Sequence, residues 1–310
     1  MLTQINGLHH VTAIASAPQA NNDFFTRTLG LRRVKKTVNF DAPEVYHLYY
    51  GDTIGTPGSV MTYFPFLNPR RSRPGTGEVG ETAFAVPEAS LDWWQAHLTR
   101  AGVAGLARDT RLGEPRLTFA GPDGETLALV ARVDARTPWT GAGIGDDVAI
   151  RGFHSVTLRL ADGGAMAELL GYMGYARIAQ SGTITRFQVP EGNGADLIDL
   201  DIRPDLAPAR EGGGSVHHVA FSVADSAAQV EVRRALADTG WQVTPVIDRD
   251  YFKAIYFRTP GGVLFEVATD TPGFTRDEPS ETLGQALKLP QQHEALRATL
   301  EARHLPPIHD

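Results

Sequence analysis

The chain has 310 residues, 29 basic and 36 acidic, a formal charge of −7, and 42% hydrophobic residues. A domain usually holds about 100–200 residues, so two domains are expected, and the acidic balance leaves no footprint for nucleic acid or an anionic membrane surface. Cysteine is absent, which excludes disulfides, thiolate nucleophiles, Cys-ligated zinc and iron–sulfur clusters and leaves His, Asp or Glu to hold any metal.

In chain order, a punctuated pattern recurs four times. The opening MLTQINGLHH has no basic segment followed by an apolar one, and no apolar run approaches the ~20 residues of a membrane span, so a cytoplasmic location is expected. A strand, LHHVTAIA from Leu8, leads into the helical periodicity of NNDFFTRTLGL, and TPGSVMTYF closes the first copy near residue 66. The second copy, about 79–132, runs from ETAFAV through DWWQAHLTRAG to GPDGETLAL. Residues 136–149 are rich in Gly and Asp and read as a linker. HSVTLRL opens the third copy, about 150–205, with MAELLGYMG as its helix. VHHVAFSV, AAQVEVRRALADTG and TPGGVLFEV make the fourth, about 213–270.

Each helix pattern ends on a glycine, at Gly30, Gly102, Gly174 and Gly240, which suits the left-handed residue that stops a helix. Pro-Gly or Asp-Gly turns punctuate the closing strands. The expected fold class is α+β, with four βαβββ modules, two to an N-terminal domain over 1–135 and two to a C-terminal domain over 150–272. Ser280 is a candidate N-cap, and helical periodicity on both sides of Pro290 makes 273–310 a helical tail.

The candidate chemistry lies in the outer copies. His9-His10 and His217-His218 occupy equivalent strand positions. Because strand side chains alternate, one member of each pair is expected in a shared site. Glu266, a carboxylate within an apolar strand, needs a compensating partner if buried. A turn centred on Pro260-Gly261 would set Tyr256 opposite Glu266, on the same face. Two imidazoles and a carboxylate form the facial triad that suits Fe(II); Zn(II) or Mn(II) fits the same donors. Aligning TPGSVMTY with TPGGVLFE puts Tyr63 at the position of Glu266. The middle copies offer Glu81 and Ser155 at the histidine positions, so no second complete site is expected there.

Taken together, GLHHVTAIA, DFFTRTLGLRRVKKTVNFD, VYHLYYGD, VHHVAF, TPGGVLFEVATD and PGFTRDE resemble the ring-cleaving dioxygenases of the vicinal oxygen chelate superfamily, and among them the hydroquinone 1,2-dioxygenases. The resemblance spans essentially the whole chain. It implies a curved mixed sheet around an iron site, with His10, His218 and Glu266 as ligands, and Tyr256, Arg249, Thr12 and His217 as nearby catalytic groups. Thr12 shares the face of His10, two residues away. His217 reaches the pocket only if the strand twists or bulges. His47, within an aromatic strand, is read as packing.

The resemblance also implies the reaction: an Fe(II)-dependent opening of a 1,4-dihydroxybenzene ring by dioxygen, with the diphenol and O2 as partners and the assembly state open. Three alternatives stand beside it. A catechol-cleaving enzyme is disfavoured because Ser155 replaces a histidine and VPEGNGADLIDL contains none. A glyoxalase-like isomerase is disfavoured by the missing second glutamate, and a metal-free aromatic-binding protein by the matched His, His and Glu.

Overall fold

A computed structural model describes residues 1–309, and the four modules are present in it. The first comprises β1 (Leu8–Ala15), α1 (Pro18–Asp23), β2 (Arg32–Asn39), β3 (Ala42–Gly51) and β4 (Val60–Pro65). The second comprises β5 (Glu78–Val86), α2 (Leu91–Arg100), β6 (Ala107–Arg111), β7 (Glu114–Ala120) and β8 (Thr126–Ala131). The third comprises β9 (Gly152–Leu160), α3 (Gly164–Tyr172), β10 (Ala176–Ser181), β11 (Ile184–Gln188) and β12 (Leu197–Ile202). The fourth comprises β13 (Val216–Val223), α4 (Ser226–Asp238), β14 (Ile247–Asp248), β15 (Phe252–Arg258) and β16 (Leu264–Pro272). The helix-stopping glycines behave as expected: Gly30 and Gly240 have φ of 68° and 93°, and Gly102 and Gly174 are likewise left-handed. α1 is short and relaxes into a π-helical turn over Phe24–Thr28.

The strands form two curled eight-stranded sheets, each a half-barrel. One runs β14-β15-β16-β13-β1-β4-β3-β2 and joins the first module to the fourth; the other runs β10-β11-β12-β9-β5-β8-β7-β6 and joins the second to the third. Each half-barrel therefore takes modules from both sides of the 136–149 segment. The seam of the first is the antiparallel pairing of β1 with β13, and that of the second is β5 with β9.

Alternation sorts each strand between two faces. In β1, Leu8, Val11, Ala13 and Ala15 join the core with Phe25, Trp94, Met166 and Leu236, while His10 and Ile14 line a cavity on the other face. The segment after β16 has three 3-10 turns and a short helix, α5 (Arg297–Arg303). Helix is missing around 283–290, where Leu287 instead bridges Lys36 of β2 in parallel. The Ser280 hydroxyl contacts Glu281 and not a backbone amide. No helix among the described residues is long and apolar enough to cross a membrane.

Candidate metal centre

His10 of β1, His218 of β13 and Glu266 of β16 meet at the seam of the first half-barrel. Register sets this up: Ala220 of β13 pairs with both His10 and Glu266, and Thr12 of β1 pairs with His218. His10 Nε2 and His218 Nε2 are 3.3 Å apart, and they stand 3.4 Å and 2.9 Å from Glu266 Oε2. All three side chains are buried, Glu266 completely. Neither Glu266 oxygen has a partner with hydrogen-bonding geometry, although an unpaired buried carboxylate is very costly.

The protonation states also fit a cation, which needs deprotonated ligands. Burial alone would raise the Glu266 pKa, but the His10 and His218 imidazoles hold it well below the usual carboxylate range. Burial lowers His218 to about 4, against the pull of Glu266. Three lone-pair donors within 4.8 Å of one another, meeting at a buried carboxylate with no contact of hydrogen-bonding geometry, fit a divalent metal ion.

Residues 7–129 and 154–267 match the Glyoxalase/Bleomycin resistance protein/Dioxygenase superfamily. The chain belongs to that superfamily. A candidate ring-cleaving dioxygenase of Bacillus subtilis, MhqO, is 41% identical, with 99% of this chain and 98% of that protein covered. A chlorohydroquinone/hydroquinone 1,2-dioxygenase of Sphingobium indicum is 35% identical, with 96% and 95% covered. A solved structure of a candidate dioxygenase from Bacillus subtilis superimposes with a TM-score of 0.95 at 40% identity over 99% of this chain and 98% of that one.

In this superfamily member, the cluster lies on the wall of a cavity of about 700 Å³ lined by Tyr256, Arg249, His217, His47, Tyr49 and several aromatic and aliphatic side chains. Tyr256 pairs with Glu266 across the hairpin, in the register that the Pro260-Gly261 turn predicts. Burial and the neighbouring Glu266 raise its pKa well above 10, so the phenol keeps its proton. The Arg249 guanidinium lies over the ring, its Nε 3.3 Å from the phenol oxygen, and a second nitrogen reaches Asp41 at 3.0 Å.

The histidine pairs are built on bulges. Across the seam, Leu8 pairs with Phe221 but His10 with Ala220, and Thr12 pairs with His218 but Ala13 with Val216. The extra residues are thus His9 on one strand and His217 on the other, each freed from strict alternation. His9 Nδ1 lies 2.9 Å from His10 Nδ1, and His217 Nδ1 lies 2.8 Å from His218 Nδ1. The environments then diverge: His9 is buried against Phe252, whereas His217 lines the cavity near Glu211. Thr12 is fully buried and bonds Thr62.

Two sequence-derived placements change. Thr62 in β4 pairs with Thr12 as Glu266 pairs with Ala220, so Thr62, not Tyr63, occupies the position equivalent to Glu266. Only one residue separates Gly58 from the paired Val60, against two between Gly261 and Leu264; this single-residue difference turns Tyr63 onto the helix face, where it packs on Phe25 and donates to Glu125. His47 lines the cavity. A histidine in an aromatic strand gives no local signal of this; the alternation of Tyr46, Leu48 and Tyr50 into the core was the available clue.

Proposed function

We propose that this chain is an Fe(II)-dependent ring-cleaving dioxygenase acting on hydroquinone-type aromatics. The observation that carries the reading is the buried Glu266 carboxylate, without a hydrogen-bond partner, facing two imidazole nitrogens beside an aromatic-walled cavity. The names of the relatives in Bacillus subtilis and Sphingobium indicum support it. His10, His218 and Glu266 would hold the metal, a facial set that leaves room for substrate. When bound, Fe(II) supplies Lewis acidity toward a phenol oxygen and one-electron access to dioxygen.

The remaining work belongs to the protein. Tyr256 keeps its proton and offers it from the phenol oxygen to negative charge gathering beside the cluster, while Arg249 orients that phenol and adds a fixed cation. His217, its Nε2 3.8 Å from Glu211, stands where a proton can pass between cavity and rim. Phe64, Phe252 and Leu264 wall the cavity with apolar surface and limit water. Thr12 acts through Thr62 and does not open on the cavity.

The test is anaerobic loading with Fe(II), followed by oxygen uptake with hydroquinone, methylhydroquinone and catechol. Stoichiometric uptake with a ring-opened product from the hydroquinones is expected. Iron-loaded protein that consumes no oxygen with any diphenol overturns the dioxygenase reading. A tenfold preference for catechol, about 1.4 kcal/mol in the transition state, overturns only the choice of ring.

A further inference from the structure

Beside the metal cluster, the first half-barrel carries a second polar device, of which the chemistry above uses only the Thr12–Thr62 contact. Thr12, Thr62 and Tyr49 are successive register partners on β1, β4 and β3, and Thr12 is itself the partner of His218. Their side chains, with His47, form a chain of hydrogen bonds. Thr12 Oγ1 lies 2.8 Å from Thr62 Oγ1, Thr62 Oγ1 lies 2.8 Å from His47 Nε2, and His47 Nδ1 lies 2.7 Å from the Tyr49 hydroxyl. All four residues are buried, the threonines completely. The chain surfaces at one place, since His47 and Tyr49 line the cavity and Thr12 and Thr62 do not.

Four polar groups in a sheet wall are tolerated because they satisfy one another, and a simple packing role would be met at less desolvation cost by apolar side chains. Burial, reinforced by His10 and His218, lowers the His47 pKa well below 6.5, so the imidazole is neutral and carries one donor and one acceptor nitrogen. With Thr62 on Nε2, Nδ1 is committed to the Tyr49 oxygen, and the phenol oxygen retains bonding capacity toward the cavity. The hydroxyls can turn in either sense, so Tyr49 can accept from a hydroxyl or donate to an oxygen that has lost its proton. The cavity, at about 700 Å³, falls within the range of ~300–1,000 Å³ that houses larger ligands. A single-ring diphenol held at one end only would be loosely placed.

We propose that Tyr49 and His47 form a second anchor, which takes the ring hydroxyl remote from the metal cluster, with Thr62 and Thr12 fixing the imidazole behind it. The anchor rests on the hydroquinone reading and gives it a structural cause: a 1,4-diphenol carries a second hydroxyl for the anchor to take. Tyr49 is the specificity residue, and His47, Thr62 and Thr12 position it.

The experiment compares anaerobic binding of hydroquinone and 4-methylphenol, which has a methyl group in place of the second hydroxyl, to the Fe(II)-loaded protein by calorimetry. Unaltered protein should prefer hydroquinone. In Tyr49→Phe that preference should fall about fivefold to tenfold, the size of one hydrogen bond, with 4-methylphenol binding and iron content unchanged. Thr62→Val, which loosens the imidazole without touching the ligand, should reduce the preference by a smaller factor. Thermal unfolding curves identify a variant that fails to fold, and His47→Gln then serves in its place. A preference retained in both Tyr49→Phe and His47→Gln overturns the anchor. Hydroquinone that fails to bind the unaltered iron-loaded protein instead overturns the functional reading on which it rests.

Discussion

The two half-barrels share one design and put opposite things at its centre. Thr157 of β9 pairs with Glu81 and Asp199 in the second sheet as Ala220 pairs with His10 and Glu266 in the first. The position of His218 is taken by Ser155. Two carboxylates thus occupy the positions of His10 and Glu266, yet arginines fill the space between them. Arg111 lies 2.9 Å from Glu81 and 3.6 Å from Asp199, Arg116 lies 2.6 Å from Glu81, and Arg186 grips both oxygens of Asp199. In the first half-barrel the comparable arginine, Arg249, stays at the rim against Asp41 and leaves a cavity beneath it. Whether guanidinium groups or imidazoles sit among the central carboxylates separates an ion-pair network from a candidate metal centre.

The largest expected effect tests that difference directly. Replacing His10, His218 or Glu266 by Ala should lower iron retention by at least 100-fold while leaving the unfolding temperature of the metal-free protein within a few degrees. The same change at Glu81 or Asp199 should leave iron content untouched and destabilise the fold by about 1–3 kcal/mol, because it leaves buried guanidinium donors unpaired while Arg116 keeps Asp109 and Arg186 keeps Glu114. Metal analysis and denaturant unfolding on both sets provide the check. Iron lost from Glu81→Ala protein that is still folded would mean the two bowls are not chemically separate.

Acid should distinguish them next. Burial, with a further push from His10, lowers the His9 pKa to about 3, and burial lowers His218 to about 4. In the unfolded chain these imidazoles take up protons near pH 6.5. Their contribution to stability is therefore fully present above that value and is lost as pH falls toward about 3. In the second half-barrel burial lowers His154 too, in the same window, and what sets this half apart is Glu114, which, against burial, His154 and Arg186 hold at about 2, so that its contribution is lost only below about pH 4.5. Metal-free protein should thus lose stability in two stages on acidification. His9→Asn should flatten the stage between pH 6.5 and about 3 in unfolding titrations, and Glu114→Gln the lower stage. A His9→Asn variant with the unaltered pH profile would remove His9 as the source.

Legibility in the sequence followed the range of the physics. The matched HH pairs were readable because strand position is local, whereas the pairing of β1 with β13 across the 136–149 segment emerged only from the sheet, since chain order favours grouping the first module with the second. Glu266 opposite Tyr256 was readable because one turn fixes a hairpin register. Tyr63 was misplaced because register in parallel strands depends on loop geometry, where a one-residue difference exchanges the faces. The bulges at His9 and His217 leave no compositional mark, so only the paired strand revealed that His217 faces the cavity. Asp199 sits in a strand resembling many others, and its equivalence to Glu266 emerged from pairing with Thr157.

The smallest effect concerns the rim. Arg249 lies between β14 and β15 and Asp41 between β2 and β3, so their contact ties opposite edges of one sheet across the mouth of the cavity. Asp41 is 75% exposed at its side chain, and an ion pair so wet is worth about 0–1 kcal/mol. Asp41→Asn should therefore change unfolding free energy by less than about 1 kcal/mol. Its trace should instead be kinetic. Arg249 freed from Asp41 still reaches Tyr256, so turnover should fall less than about threefold, and the salt sensitivity that screening gives the pair at ~0.1 M should disappear. Arg249→Gln removes the cation over Tyr256 as well and should cost more in kcat than in KM. If the two variants were equally impaired, the rim pair would be holding the bowl open, and the cavity would depend on its edges as much as on what its centre lacks.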